Sequence, residues 1–182
     1  LLGVILGLMM CFDLGGPVNK AAYLFATAGL STGDEASLKI MAAVMGAGMI
    51  PPIALSIATM LRKNLFTAAE QENGKSAWLL GLSFISEGAI PFAASDPLRV
   101  IPATMAGGAV TGAISMVLGV GSRAPHGGIF VFFAISPLIG WIIALVAGIA
   151  VSTVLIIALK QFWPNKTLMA QAAKDTAQAV AA

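Results

Sequence analysis

Long apolar stretches separated by short polar breaks set the pattern of this chain. Residues 40–61 and 100–121 are two runs of 22 residues without a charge. As helices they would reach about 33 Å at ~1.5 Å per residue, enough to cross a hydrocarbon core of ~30 Å. Between Arg123 and Lys160 lie 36 residues in which only His126 can ionise. One helix of that length would run ~54 Å, too long for one crossing. The pattern predicts a re-entrant segment near residues 124–134 and a crossing helix over 135–159. Phe162-Trp163-Pro164 then marks an interface and a helix stop. Residues 76–98 are apolar but carry Ser86-Glu87-Gly88-Ala89-Ile90-Pro91-Phe92-Ala93-Ala94-Ser95-Asp96-Pro97. Gly88, Pro91 and Pro97 prevent one clean helix there, and a carboxylate in hydrocarbon needs a partner or a wet cavity. Broken backbone with charge at membrane depth lines substrate paths.

The remaining segments are shorter. Residues 1–12 are apolar and too short to span, and read as the end of a helix begun upstream. The chain is accordingly expected to be a fragment. Asp13-Leu14-Gly15-Gly16-Pro17-Val18-Asn19 breaks that helix, and residues 20–30 resume one. Residues 31–35 form a polar turn, with Ser37 as the expected cap of the next helix. Pro51-Pro52, inside the run 40–61, predicts a kink supported by neighbouring helices. Residues 62–75 are a polar loop, solvated over 70–74. Gly108 and Gly112, four apart, suit close helix approach in lipid. Residues 167–182 are Ala-rich and polar, a surface helix or frayed tail.

Composition sharpens this picture. Hydrophobic residues make up 58% of the chain and charged residues 10%, against about 25% charged in soluble domains. The expected class is an all-α membrane protein with transmembrane helices and two re-entrant hairpins. A net charge of +2 gives no footing for nucleic acid. Cys11 is the single cysteine, so it forms no intrachain disulfide and offers no metal-ligand spacing. No phosphate-cradling loop, metal-binding His-Glu-x-x-His helix or nucleophile elbow is present, and no cofactor is expected. If 76–98 is a hairpin, Arg62, Lys63, Lys75, Arg99, Lys160, Lys166 and Lys174 collect on one side. Lys39 and Arg123 fall on the other, with Asp34 and Glu35. The positive-inside rule makes the first side cytoplasmic. A full crossing by 76–98 would scatter the lysines.

Four polar breaks carry the candidate chemistry. Glu87 can accept from vicinal hydroxyls, or pair with Lys20 or Arg99. Asp96 is either a helix cap or a ligand. Arg99 is its partner or snorkels to the interface. His126 sits in Ala124-Pro125-His126-Gly127-Gly128, as a ligand or a structural turn residue. Asn19 offers donor and acceptor, while Lys20 only donates. Residue types alone reach a transporter-like domain with a polar midplane site. An ion-coupled transporter using Glu87 and Asp96 and a non-transporting scaffold compete with that reading.

Three motifs in order add a resemblance. Asp13 to Tyr23, Ser86 to Phe92 and Ala124 to Gly128 resemble the fructose-specific membrane component, IIC, of the bacterial phosphoenolpyruvate-dependent sugar phosphotransferase system. The similarity covers residues 1–160, as the C-terminal part of that domain, with 161–182 as a cytoplasmic tail. The resemblance implies a dimeric, multi-pass protein of the bacterial inner membrane that takes up a sugar, fructose above all. It implies that Glu87 holds sugar hydroxyls. Related sugar branches carry Asn-His where this chain has Asn19-Lys20, which leaves Lys20 or His126 to fill the histidine's place. Phosphorylation by a phosphocysteine on a separate IIB domain is implied too. The chain would then belong to a fructose phosphotransferase complex while lacking the phosphorylated residue, and Cys11 is not that cysteine.

Overall fold

The computed structural model describes residues 1–181. Its elements are α1 (Leu2–Phe12), α2 (Pro17–Leu30), α3 (Glu35–Leu61), α4 (Ala68–Leu82), α5 (Ile90–Ser95), α6 (Pro97–Val117), β1 (Gly121–Ser122), β2 (Ile135–Ser136), α7 (Leu138–Phe162) and α8 (Lys166–Ala181). Helices α3, α6 and α7 are long and apolar enough to cross a membrane. The chain is an all-α membrane protein. Helix α3 is its axis: 89% of its apolar window is buried by the rest of the chain, against 33% for α7. Ile139, Ile143, Val146 and Val154 on α7 stay exposed, as a hydrocarbon-facing surface requires.

Helix α3 starts at Asp34, whose carboxylate accepts from the Ser37 amide at 2.8 Å. Ser37 was the expected cap, but the extended backbone at Asp34 puts the cap three residues earlier. The helix continues through Pro51 and Pro52, both buried. Helix α7 runs parallel to α3. Trp141 Nε1 donates to the Ala42 carbonyl at one end, and Arg62 donates to Gln161 Oε1 at 2.8 Å at the other. Helix α6 runs the opposite way, from the Lys160 end to the end marked by Lys39 and Arg123.

Glycine seams join these helices. A Cβ on Gly7 would overlap the Gly108 carbonyl, and one on Gly112 would overlap that of Gly3. Gly107 and Gly148 bring α6 against α7 in the same manner. The expected packing role of Gly108 and Gly112 is met, since only bare Cα atoms let the backbones touch.

Three segments fold back on themselves. Helices α4 and α5 leave from the Lys160 end and return to it, Ser95 Oγ donating to Glu70 Oε1 at 3.0 Å. Residues 123–134 leave from the Arg123 end and return. β1 and β2 close their base antiparallel, with Gly121 opposite Ser136 and the Arg123 amide on the Ala134 carbonyl. The third fold-back is α1 with α2, which the sequence did not predict. Helix α1 begins beside Gly112 and Met116 and ends with Cys11 Sγ donating to the Ala47 carbonyl. Helix α2 then returns to the start of α3, with Gly29 against Ser37.

Of the two readings for residues 167–182, a surface helix or a frayed tail, the described residues take the first. Helix α8 lies against the start of α4, where the Ala68 amide donates to Asp175 at 3.0 Å. Residues 70–74 belong to α4 and do not form a solvated loop: Glu70 is buried. Its carboxylate closes a capping box with Thr67.

Candidate functional site

The three turns meet beside the middle of α3. Cys11, two residues before the first turn, bonds the carbonyl of Ala47. Ser86, after the second, donates to the carbonyl of Gly48 at 2.8 Å. Gly48 stands thirteen residues from either end of α3, about 20 Å from each at ~1.5 Å per residue. The third turn reaches the second: a Cβ on Gly128 would overlap the Leu82 carbonyl, and its φ of +58° favours glycine as well.

Each turn is shaped by its own sequence. Asp13 accepts from the Val18 and Asn19 amides, both at 2.8 Å. It thereby caps α2 across Gly15-Gly16 and fixes the direction of Asn19 and Lys20. Gly15 (φ +102°) lies under Glu87: a Cβ there would sit 2.6 Å from Glu87 Oε1. Phe84 and Leu14 hold positive φ of 64° and 50° without being glycine. Such backbone costs of order 1–3 kcal/mol and gathers at functional sites.

Between the turns lies a half-open cavity of about 200 Å³, lined by Met10, Gly15, Asn19, Lys20, Tyr23, Phe84, Ser86, Glu87 and His126. Asn19, Lys20, Glu87 and His126, four of the six polar residues singled out from sequence, all reach it. Asn19 is buried and donates from Nδ2 to the Met10 carbonyl at 2.6 Å, which leaves its amide oxygen available. Glu87, Lys20 and His126 are exposed to the cavity. Among the described residues no cation lies within ion-pair distance of Glu87. The expected alternative, a pair with Lys20 or Arg99, is not formed. The His126 ring packs 5.0 Å from that of Phe84 and 6.4 Å from that of Tyr23. The cavity thus joins a free carboxylate, an ammonium, an imidazole and an amide to an aromatic wall. It is below the ~300–1,000 Å³ of sites for drug-sized ligands.

Comparison with known proteins gives the setting. Over 176 residues the chain is 53% identical to the PTS system fructose-specific EIIB'BC component of Escherichia coli K12, covering 95% of this chain and 30% of that one. It is 56% identical over 155 residues to the component of that name from Vibrio cholerae, covering 84% of the chain and 26% of the relative. The PTS system fructose-specific EIIC component of Haloferax volcanii is 49% identical over 175 residues, 96% of the chain and 46% of the relative. The chain is homologous to the PTS fructose-specific components. It spans between about a quarter and a half of the length of these relatives. No family model and no solved structure matches it.

Two other expectations for this PTS homologue are settled by geometry. Asp96 stands at the N-cap of α6 but makes no capping bond. It pairs instead with Arg99 at 2.7 Å and Lys160 at 3.5 Å, outside the cavity. Arg99 is therefore a buried partner and does not snorkel. Sequence reasoning missed Tyr23, Phe84 and Ser86. Tyr23 had a readable signal, since it follows Asn19 by four residues and shares its helix face. It also missed Glu70 and Lys160, ninety residues apart in the chain.

Proposed function

We propose that this chain is the C-terminal part of a IIC domain that binds fructose between the three turns and passes it across the membrane. The observation that supports this most is the convergence of Asn19, Lys20, Glu87 and His126 on one cavity at mid-height of α3. On this reading the α4–α5 hairpin and residues 123–134 are re-entrant in the bilayer, entering from opposite faces. Glu87 accepts hydrogen bonds from two sugar hydroxyls, which its unpaired state leaves it free to do. The Asn19 amide oxygen takes a third, Lys20 or His126 donates to a ring or hydroxyl oxygen, and Phe84 and Tyr23 cover the C–H face. Ammonium and carboxylate balance, so the cavity favours a neutral, polar ligand.

Phosphorylation comes from a phosphocysteine of a IIB partner. The sugar hydroxyl oxygen bonds phosphorus, the sulfur–phosphorus bond breaks, and the cysteine leaves as thiolate. The hydroxyl proton passes to a base, for which Glu87 is the candidate. The product carries about −1.5 to −2 charges, as phosphate monoesters do, and the nearby carboxylate repels it. Release then follows from chemistry and needs no ion gradient. The protein works as a homodimer in the inner membrane with residues 161–182 on the cytoplasmic side. An ion-coupled transporter resting on Glu87 and Asp96 together gains no support, because two cations hold Asp96 outside the cavity.

The test is fructose calorimetry on the full-length protein. Glu87→Gln should weaken binding by about 10- to 100-fold, the worth of hydrogen bonds to a charged acceptor. Unchanged affinity removes Glu87 from the site. Uptake into vesicles that hold a phosphoryl donor but no ion gradient should persist, and its collapse overturns the coupling.

A further inference from the structure

Four buried charges gather at the base of the α4–α5 hairpin, away from the cavity. Lys160, near the end of α7, reaches Glu70 at 3.2 Å and Asp96 at 3.5 Å. Arg99 reaches Asp96 at 2.7 Å, and each of the four side chains is at most 8% exposed. The two acids belong to different arms: Glu70 opens α4 on the outgoing arm, while Asp96 follows α5 at the end of the returning one. Ser95 joins the arms directly through Glu70. The Lys160 ammonium also sits 4.5 Å over the Phe66 ring, and Phe66 packs edge-on against Phe92 of α5. Arg99 stacks on Trp163, which follows α7, and donates to its carbonyl.

Buried ion pairs add little to net stability, because desolvation consumes most of the Coulomb gain; their best-attested use is to fix one arrangement. This cluster fixes the spacing of the two arms. The arms are levers: from Glu70 to Leu82 is twelve residues, about 18 Å of helix at ~1.5 Å per residue. A small opening at the base becomes a displacement of ångström size at the turn that carries Glu87.

We propose that Lys160 is a positioning residue. By bridging Glu70 and Asp96 it holds the hairpin arms at one spacing and so aims Glu87 into the cavity from across the molecule. Its effect on sugar rests on the reading above, whereas its effect on the turn does not.

The test uses the full-length protein with two readouts. The first is fructose affinity. The second needs no sugar: the rate at which a water-soluble maleimide modifies Glu87→Cys in a background with the other cysteines replaced. Lys160→Met should change the modification rate at least fivefold and weaken fructose binding about tenfold, while Lys160→Arg keeps both within about threefold. Membrane-inserted Lys160→Met with both readouts unchanged overturns the proposal, as does an Arg variant that behaves like Met. Should Lys160→Met fail to insert, Ser95→Ala carries the test, because it removes the bond between the arms and leaves every charge in place. A twofold or larger change at residue 87 supports the clamp, and an unchanged rate overturns it. If the parent binds no fructose at all, the sugar reading fails while the maleimide arm still decides the role of Lys160.

Discussion

Asp34 accepts hydrogen bonds from the Thr32 hydroxyl and from the Ser37 amide and hydroxyl, and these hold its carboxyl down to about 2. The ordinary value is about 3.9, so the folded state prefers the ionised cap. The sign follows from linkage: the contribution of Asp34 is fully present above pH ~4 and is lost as pH falls through about 2. Asp34→Ala should therefore lower the melting temperature of the detergent-solubilised protein at neutral pH. The gap from the parent should close as the pH is taken from about 4 towards about 2. A gap that stays constant over that range would deny the cap its charge. Other carboxylates of the chain have different fates for equally local reasons. Asp96 has Arg99 one helical turn ahead of it, and Glu70 meets Lys160 through tertiary packing. Glu87 follows a turn anchored by Ser86 and, among the described residues, has no cation within ion-pair distance, which is why it alone of the motif's two acids is free for a ligand.

At the scale of elements, α1 stays seated on α6 because glycine faces glycine. A Cβ on Gly7 would collide with the Gly108 carbonyl, and backbone cannot swing aside as a side chain would. Gly7→Val and Gly108→Val should each destabilise the protein by about 2–3 kcal/mol, at the upper end for overpacking. Thermal unfolding measures this, and a loss under about 0.5 kcal/mol would mean the seam is not tight. The seam was half legible: Gly108 and Gly112 stood out by spacing inside a long apolar run, but their partners Gly3 and Gly7 lie in a segment too short to read as a span. For the same reason the return of α2 to the start of α3 was not foreseen. A breaker such as Asp13-Leu14-Gly15-Gly16-Pro17 shows that a helix stops and says nothing of where the chain goes next. The α4–α5 turn was better marked, since Glu87, Gly88 and Pro91 interrupt a stretch otherwise fit to span. The four cavity residues were legible because each is a polar group at a break. Of the base cluster, the Asp96–Arg99 pair was legible from its three-residue spacing, whereas the Glu70–Lys160 pair was not, because Glu70 lay among polar neighbours and its partner is ninety residues away.

At the scale of the whole molecule, the path of the chain fixes which charges share a face. Arg62 bonds Gln161, and Lys160 bonds both ends of the α4–α5 hairpin, so the segment 76–98 leaves from and returns to one end of the molecule. Arg99 and Lys160 are buried against carboxylates and contribute little free charge to that face. Arg62, Lys63, Lys166 and Lys174 remain exposed there, as does Lys75, which is paired with Glu72. At the opposite end Arg123 is exposed, while Lys39 is paired with Glu35. We propose that the first face is cytoplasmic, because exposed cations gather there. Single cysteines at Lys63, Lys166 and Arg123, probed with a membrane-impermeant maleimide in vesicles of known orientation, test this directly. Lys63→Cys and Lys166→Cys should react only from the cytoplasmic side, and Arg123→Cys only from the other. Reaction of Lys63→Cys and Lys166→Cys from opposite sides would require 76–98 to cross the membrane. That would pull Ser95 away from Glu70 and separate the two arms that Lys160 joins, so one labelling experiment bears on the chain path and the hairpin base together.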